Sequence, residues 1–425
     1  MARYKPYEKY KDSGVEWIGE VPEHWEVSKI KYVADYINGY AFKPDEWTNE
    51  GKKIIRIQNL TNPATDYNRY DGSISNKYVI NSGDILLSWS ASLGVYVWND
   101  EPSLLNQHIF KVVPNKALVC QQFYIWLANW FIEELKKDIH GSTMQHLTKD
   151  KFGRFVLYLP HIHEQQVIAN FLDQKTTEID GLIADKEKLV SLLQEYRQAI
   201  ISEAVTKGLD PDVKMKDSGV EWIGEIPEHW DVSNLGYKSR MIVPMRDKPV
   251  NLTGDVPWIR IEDFKGKYIS ESVSGQGVET ELINKMNLKV YPNGTVLCSC
   301  SCTMGRTAIV ASPLISNQTF IGIVPSQQLC SSYLYYLMQV CSEWLQYLGQ
   351  GAIQQYLSRH DFEHLKVTFP PISEQQAIAD YLDQKTTEIN DLISGIQKSI
   401  AQLKSYRQSL ISEAVTGKID VRGVI

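Results

Sequence analysis

The sequence contains no apolar run approaching the roughly 18 residues that a membrane-spanning helix requires. Its opening, Met1-Ala2-Arg3-Tyr4-Lys5, leads into a polar segment without the apolar core of a secretory signal, so a cytoplasmic location is expected. Familiar catalytic loops are missing as well. There is no GxxxxGK(S/T) phosphate loop, no GxGxxG after a strand, no GxSxG and no HExxH. Nor is there an Asn-Pro-Pro-aromatic motif, since Asn62-Pro63 is followed by Ala64. The segment Asp210-Pro211-Asp212-Val213-Lys214 has the look of a nuclease carboxylate cluster, but its Pro/Gly setting favours a solvated turn. The six cysteines form no CxxC pair with further ligands at metal-binding spacing. Cys298, Cys300 and Cys302 alternate with Leu297, Ser299 and Ser301, which suits small core residues on one strand face.

What is present is ordinary globular material, with 43% hydrophobic and 22% charged residues, and 425 residues suffice for two or three domains. The net charge of −7 argues at first against a nucleic-acid partner. Its distribution weakens that argument. Residues 1–160 carry 19 basic and 19 acidic side chains, and 216–366 carry 13 and 15, whereas 161–215 carry 6 and 10. The globular parts are near neutral, so any basic face must be local.

The dominant feature is an internal repeat. Lys11–Ile30 reads KDSGVEWIGEVPEHWEVSKI and Lys216–Leu235 reads KDSGVEWIGEIPEHWDVSNL, with sixteen of twenty positions identical. A second pair of matches follows in each copy: LDQKTTEI at 172–179 and 382–389, YRQ at 196–198 and 406–408, and ISEAVT at 201–206 and 411–416. Between these flanks the copies diverge, keeping only echoes such as Ile55-Arg56-Ile57 with Ile259-Arg260-Ile261. The expected domains are 1–160 and 209–370, each followed by a long helix at 161–208 and 371–425.

The tail segments carry helix signals. Ser373 and Gln376 after Pro370-Pro371 suggest a capping box, His163-Glu164-Gln165-Gln166 a weaker start, and Gly208 and Gly417 suit left-handed C-caps. Alternating steps of four and three trace a seam through Ile168, Leu172, Ile179, Leu182, Leu189, Leu193, Tyr196 and Ile200. The second copy gives Ile378, Leu382, Ile389, Leu392, Ile396, Leu403, Tyr406 and Leu410. About 43 residues at 1.5 Å rise span about 65 Å, far beyond a single small domain, so the two helices are expected to pair with each other. In the divergent parts, Lys53–Gln58, Asp84–Trp89, Val95–Trp98 and His108–Val113 read as strands, while Tyr124–Lys137 and Tyr333–Tyr347 read as helices. The expected class is α/β or α+β.

The chain resembles the specificity subunits of type I restriction-modification systems. SGVEWIGEVPEHW at 13–25, SGVEWIGEIPEHW at 218–230, the P-x-x-E-Q-Q entry to the tail helix and the helix ends ISEAVTKG and ISEAVTG carry the resemblance, which covers essentially the whole chain. It implies two target-recognition domains on a pseudo-two-fold scaffold, each reading half of a split, asymmetric sequence in double-stranded DNA. The antiparallel helices would form a coiled-coil spacer that sets the gap. It implies a non-catalytic chain without cofactor or metal of its own. Two modification subunits would bring S-adenosylmethionine, and two restriction subunits ATP and Mg. The residues alone leave two other classes open: a DNA methyltransferase or endonuclease in its own right, and a coiled-coil assembly adaptor.

Base readout favours polar side chains that can reach groove edges. In the first copy the candidates are Lys52, Lys53, Arg56, Gln58 and Asn59, with Ser142, Gln145, His146 and Lys149 before the tail helix. In the second they are Arg260, Glu262, Asp263, Arg306, Gln354, Gln355 and Arg359. Trp17, Trp25, Trp222 and Trp230 lie in the duplicated flank, which suits packing or partner docking better than reading.

Overall fold

The computed structural model describes residues 4–16, 18–62, 64–90, 92–139, 152–244, 248–300, 305–349 and 357–424. Four helices organise it: α1 (Gln121–Ile139), α2 (Ile162–Lys207), α3 (Ser331–Gly349) and α4 (Ile372–Val415). At 1.5 Å per residue the 46 residues of α2 extend about 69 Å. The chain divides into two compact units, and the division passes through both long helices. Unit 1 holds residues 1–186 and 399–425, and unit 2 holds 187–398.

Unit 1 opens with a hairpin, Tyr10–Asp12 paired antiparallel with Glu20–Pro22. Its main sheet is antiparallel, in the order Ala34–Asn38, Ile109–Pro114, Ile85–Ser88 and Gly94–Val97. A second, mixed sheet runs Asn68–Tyr70, Lys52–Ile55, Ser103–Leu105 and Val79–Ile80. Ile55, Ile80, Leu86, Trp98, Leu105 and Ile109 form a core cluster. The strand expected over Lys53–Gln58 stops at Ile55, because the Asn59 carboxamide accepts the Arg56 amide and starts a short helix, Ile57–Thr61.

Unit 2 repeats this plan with different residues. Its hairpin is Met215–Asp217 with Glu225–Pro227. Its largest sheet runs Ser239–Ile242, Phe320–Pro325, Val296–Ser299, Thr307–Val310 and Tyr268–Ile269. Cys298, Cys300 and Cys341 are buried in its core, while Cys302 lies outside the described residues. Burial in this apolar setting pushes the Cys298 thiol well above its ordinary range. Asp210–Lys214 is an exposed turn in which the Asp212 amide donates to the Asp210 carboxylate.

Inside each unit the two half-helices run antiparallel. In unit 1, Glu164 lies by Tyr7 and Arg422 stacks on the same ring, whereas Asp180, further along α2, meets Arg407, further back on α4. In unit 2, Lys207 and Glu374 line one cleft, and Lys385, whose pKa is raised chiefly by its Glu388 partner, also interacts with Tyr196.

The buried track differs from the expected seam. Ile168, Leu172, Ile179, Ile378, Leu382 and Ile389 are buried, and Leu193, Ile396, Leu403 and Tyr406 are half-buried. Leu182, Leu189, Tyr196 and Leu392 are exposed. The track goes from Leu172 through Thr176 and Ile179 to Ile183, nearer the 3.6 residues of a straight helix than a 3.5 heptad. Thr176 is tolerated there because its hydroxyl donates to the Leu172 carbonyl, as Thr386 does to Leu382. The helix starts also differ from expectation. Ile372 already belongs to α4, so Ser373 lies inside the first turn.

Candidate nucleic-acid interface

Each unit is built around a hub formed by its copy of the PEHW sequence. Trp25 and Trp230 are fully buried. In unit 1 the Trp25 indole N–H donates to Glu164 Oε1 (3.1 Å), the Tyr7 hydroxyl donates to the same oxygen (2.7 Å), and His24 Nε2 meets Oε2 (2.8 Å). In unit 2 the Trp230 indole donates to Glu374 Oε2 (2.9 Å), and His229 Nε2 meets Oε1 (2.8 Å). Both glutamates sit in the first helical turn, where the free amides and the helix dipole favour negative charge. Burial and the Glu164 hydrogen bond push the Tyr7 phenol far up.

The next residue is used identically in both copies. Gln165 Oε1 accepts the Cys120 amide, and its Nε2 donates to the Leu118 and Pro160 carbonyls. Gln375 does the same with Cys330, Gln328 and Pro370. The glycine ending the other helix closes each hub. Gly208 (φ +79°) and Gly417 (φ +72°) are left-handed, and a Cβ would come 3.2 Å from the Trp230 ring or 2.4 Å from Pro22. The hub tryptophans therefore pack, as their position in the duplicated flank suggests; Trp222 packs partly against the unit 2 core, and Trp17 lies outside the described residues.

The candidate readers sort into three groups. Asn59 and Asp263 are buried and committed to local structure. Asn59 donates to the Thr65 and Asp66 carbonyls, and Asp263 accepts from the Arg260 and Val273 amides. A polar residue after the I-R-I echo looked like a reader because sequence does not show which way a loop side chain turns. Lys53 is occupied too, between Asp100 (2.8 Å) and Glu101 (3.1 Å), whose hydrogen bonds raise its pKa.

A second group stays accessible. Lys52, Gln58, Glu262, Arg306 and Arg359 are exposed, with Arg359 held by Glu363 at 2.7 Å. Arg56 and Arg260 are half-buried; Arg56 stacks on Trp47 and donates to Asn68, and Arg260 faces Glu262 at 3.5 Å. The third group, Ser142, Gln145, His146, Lys149, Gln354 and Gln355, lies outside the described residues. Sequence reasoning missed Tyr7, Glu164, Glu374 and Arg422, although E-Q-Q at equal spacing in both copies signalled the two glutamates.

No group of three or more His, Cys, Asp or Glu residues arranged for a metal ion occurs among the described residues. No helix among them is long and apolar enough to cross a membrane.

Comparison with known proteins agrees with this two-copy construction. The type I restriction modification DNA specificity domain matches twice, over residues 22–190 and 240–402. The EcoBI specificity subunit of Escherichia coli is 23% identical, covering 94% of this chain and 87% of its own length. The MjaVIII specificity subunit of Methanocaldococcus jannaschii is 24% identical, with 95% of each chain covered. Among solved structures, one described in work on complex assembly and conformational transition of the type I R-M system superposes with a TM-score of 0.72. It shares 16% identity over 93% of this chain and 98% of that one. The HsdS subunit of Thermoanaerobacter tengcongensis superposes at 0.50 with 15% identity, covering 94% and 98%. With the family's domain present in both halves, the chain belongs to the type I restriction-modification DNA specificity family, as a non-catalytic recognition subunit.

Proposed function

We propose that this specificity subunit reads a split, asymmetric DNA target with one unit per half-site, and that α2 and α4 set the unread gap. One observation carries this reading: the units share the tryptophan, histidine and glutamine hydrogen bonds of their hubs, yet present different accessible polar side chains. Unit 1 offers Lys52, Arg56 and Gln58, and unit 2 offers Arg260, Glu262 and Arg359. Identical scaffolds with unlike readers suit a non-palindromic bipartite sequence. Ser142, Gln145, His146, Lys149, Gln354 and Gln355 are further candidates. Helices of about 66–69 Å are long enough to hold two readers a DNA turn of about 34–36 Å apart.

Modification and restriction subunits are the partners of a type I specificity subunit. Two copies of each would match the two units, bringing S-adenosylmethionine, ATP and Mg with them. Near-neutral recognition units imply that many phosphate contacts come from those partners, so the isolated chain should bind DNA weakly at physiological salt. The test is the sequence methylated by the assembled complex. Two different short words separated by a fixed gap support the reading, and a continuous or palindromic target overturns it. The purified chain given DNA and S-adenosylmethionine should transfer no methyl group.

A further inference from the structure

One cleft of unit 2 is unused by the hub and carries more positive charge than the matching positions of unit 1. It measures about 400 Å³, and its lining includes Arg197 on α2, Lys265, Gly305, Arg306 and Gln339. The described residues lining it include no acidic side chain. Among the described residues Arg197, Lys265 and Arg306 make no ion pair. The buried Nε of Arg197 has no hydrogen-bond acceptor among the described residues. A buried guanidinium donor without an acceptor, flanked by two further cations, is a costly arrangement unless an anion accepts from it.

In both copies the arginine Nε lacks an acceptor in hydrogen-bonding geometry, and what sets unit 2 apart is the charge around it. Arg197 corresponds to Arg407 in the YRQ matches, and Arg407 Nε lies 2.9 Å from the Asp180 carboxylate in unit 1. The position matching Asp180 in the LDQKTTEI copies is Asn390, so unit 2 has lost the neutralising carboxylate. The other two cations are additions. Thr61 stands where unit 2 has Lys265, counting from the I-R-I echo. Gly94 stands where unit 2 has Arg306, each opposite the serine that ends the central strand.

We propose that this cleft is an oxyanion site for a phosphate-class ligand, either a backbone phosphate of DNA or a free phosphate compound. The guanidinium groups of Arg197 and Arg306 would grip two faces of the phosphate, while Lys265 supplies a point charge. The site stands on its own geometry, and only the DNA source rests on the reading given above.

The experiment is thermal unfolding of the full chain in inorganic phosphate or pyrophosphate, against chloride at matched ionic strength. Phosphate at ten times its dissociation constant should raise the unfolding temperature by roughly 3 °C in the native chain. The shift should vanish in Arg306→Gln, an exposed change that leaves packing intact, and in Asn390→Asp, which restores the carboxylate of the other copy. Asn390→Asp should also unfold at higher temperature than the native chain when phosphate is absent.

A second arm measures duplex binding at low salt. If DNA supplies the phosphate, Arg306→Gln weakens binding equally for all sequences and lowers the salt slope by about one. A phosphate shift without that slope change identifies a free phosphate compound instead. Equal stabilisation by chloride, or neither a phosphate shift nor a slope change, overturns the site, whatever target the assembled complex methylates.

Discussion

The two units solve the same packing problem and part company where they are free to. At the hub a tryptophan and a histidine converge on one glutamate, and a glutamine closes the preceding loop, in unit 1 and unit 2 alike. Elsewhere an equivalent residue takes a different partner in each. Asp173 of unit 1 accepts the Trp126 indole N–H, whereas Asp383, its counterpart, accepts the Tyr336 hydroxyl and pairs with Lys267. Lys267 in turn lies over the rings of Tyr268, Tyr335 and Tyr336. The difference shows what duplication permits here: helix positions are kept, and the recognition unit resting on them is replaced.

The largest expected effect tests whether the hubs are equivalent. Trp25→Ala and Trp230→Ala should each cost about 3–5 kcal/mol, since each ring is fully buried. Unlike losses in denaturant unfolding would break the equivalence. Next come the glutamates. Glu164 is almost wholly buried and takes three donors, while the Glu374 side chain is 41% exposed and takes two. Glu164→Ala should therefore cost about 2–3 kcal/mol and Glu374→Ala about 1 kcal/mol. A reversed order would show that the Tyr7 hydrogen bond contributes nothing.

A smaller effect distinguishes readers from structural residues. Gln58→Ala should relax one position of the first half-site by about 1–3 kcal/mol of discrimination, read from methylation of single-base variants, and leave the second half-site unchanged. Asp180→Asn, which gives unit 1 the residue of unit 2, should cost about 0.2–1 kcal/mol because the Arg407 pair is exposed. The last prediction is a pH effect. The Arg422 hydrogen bond holds the Asp420 carboxyl below its ordinary 3.8. Because the folded value is depressed, this contribution is fully present above about pH 4 and is lost as pH falls through the folded value. Asp420→Asn should flatten the acid limb of the unfolding curve slightly, and an unchanged limb would assign it to other carboxylates.

Much of this was legible in the sequence. The repeat marked the two copies, the long helices and their left-handed glycine ends, because near-identity over twenty residues is a signal that needs no tertiary information. The seam was legible only in part. At 182–183 and 392–393 two apolar residues stand side by side, and a strict four-three step chose Leu182 and Leu392, while the structure buries Ile183 and half-buries Ile393. A threonine on the buried face hid the true track, since its backbone hydrogen bond is invisible in a hydropathy pattern. Asn59 and Asp263 were misjudged for a related reason: a loop carboxamide or carboxylate has the same identity whether it reads DNA or ties its own turn.

The central claim is that unlike readers sit on a duplicated scaffold. Its most direct measurement is the methylated target of a complex in which residues 31–160 are replaced by the corresponding stretch of another specificity subunit. One half of the target should change while the other half and the gap stay as they were. An unchanged target, or simultaneous change of both halves, would contradict it.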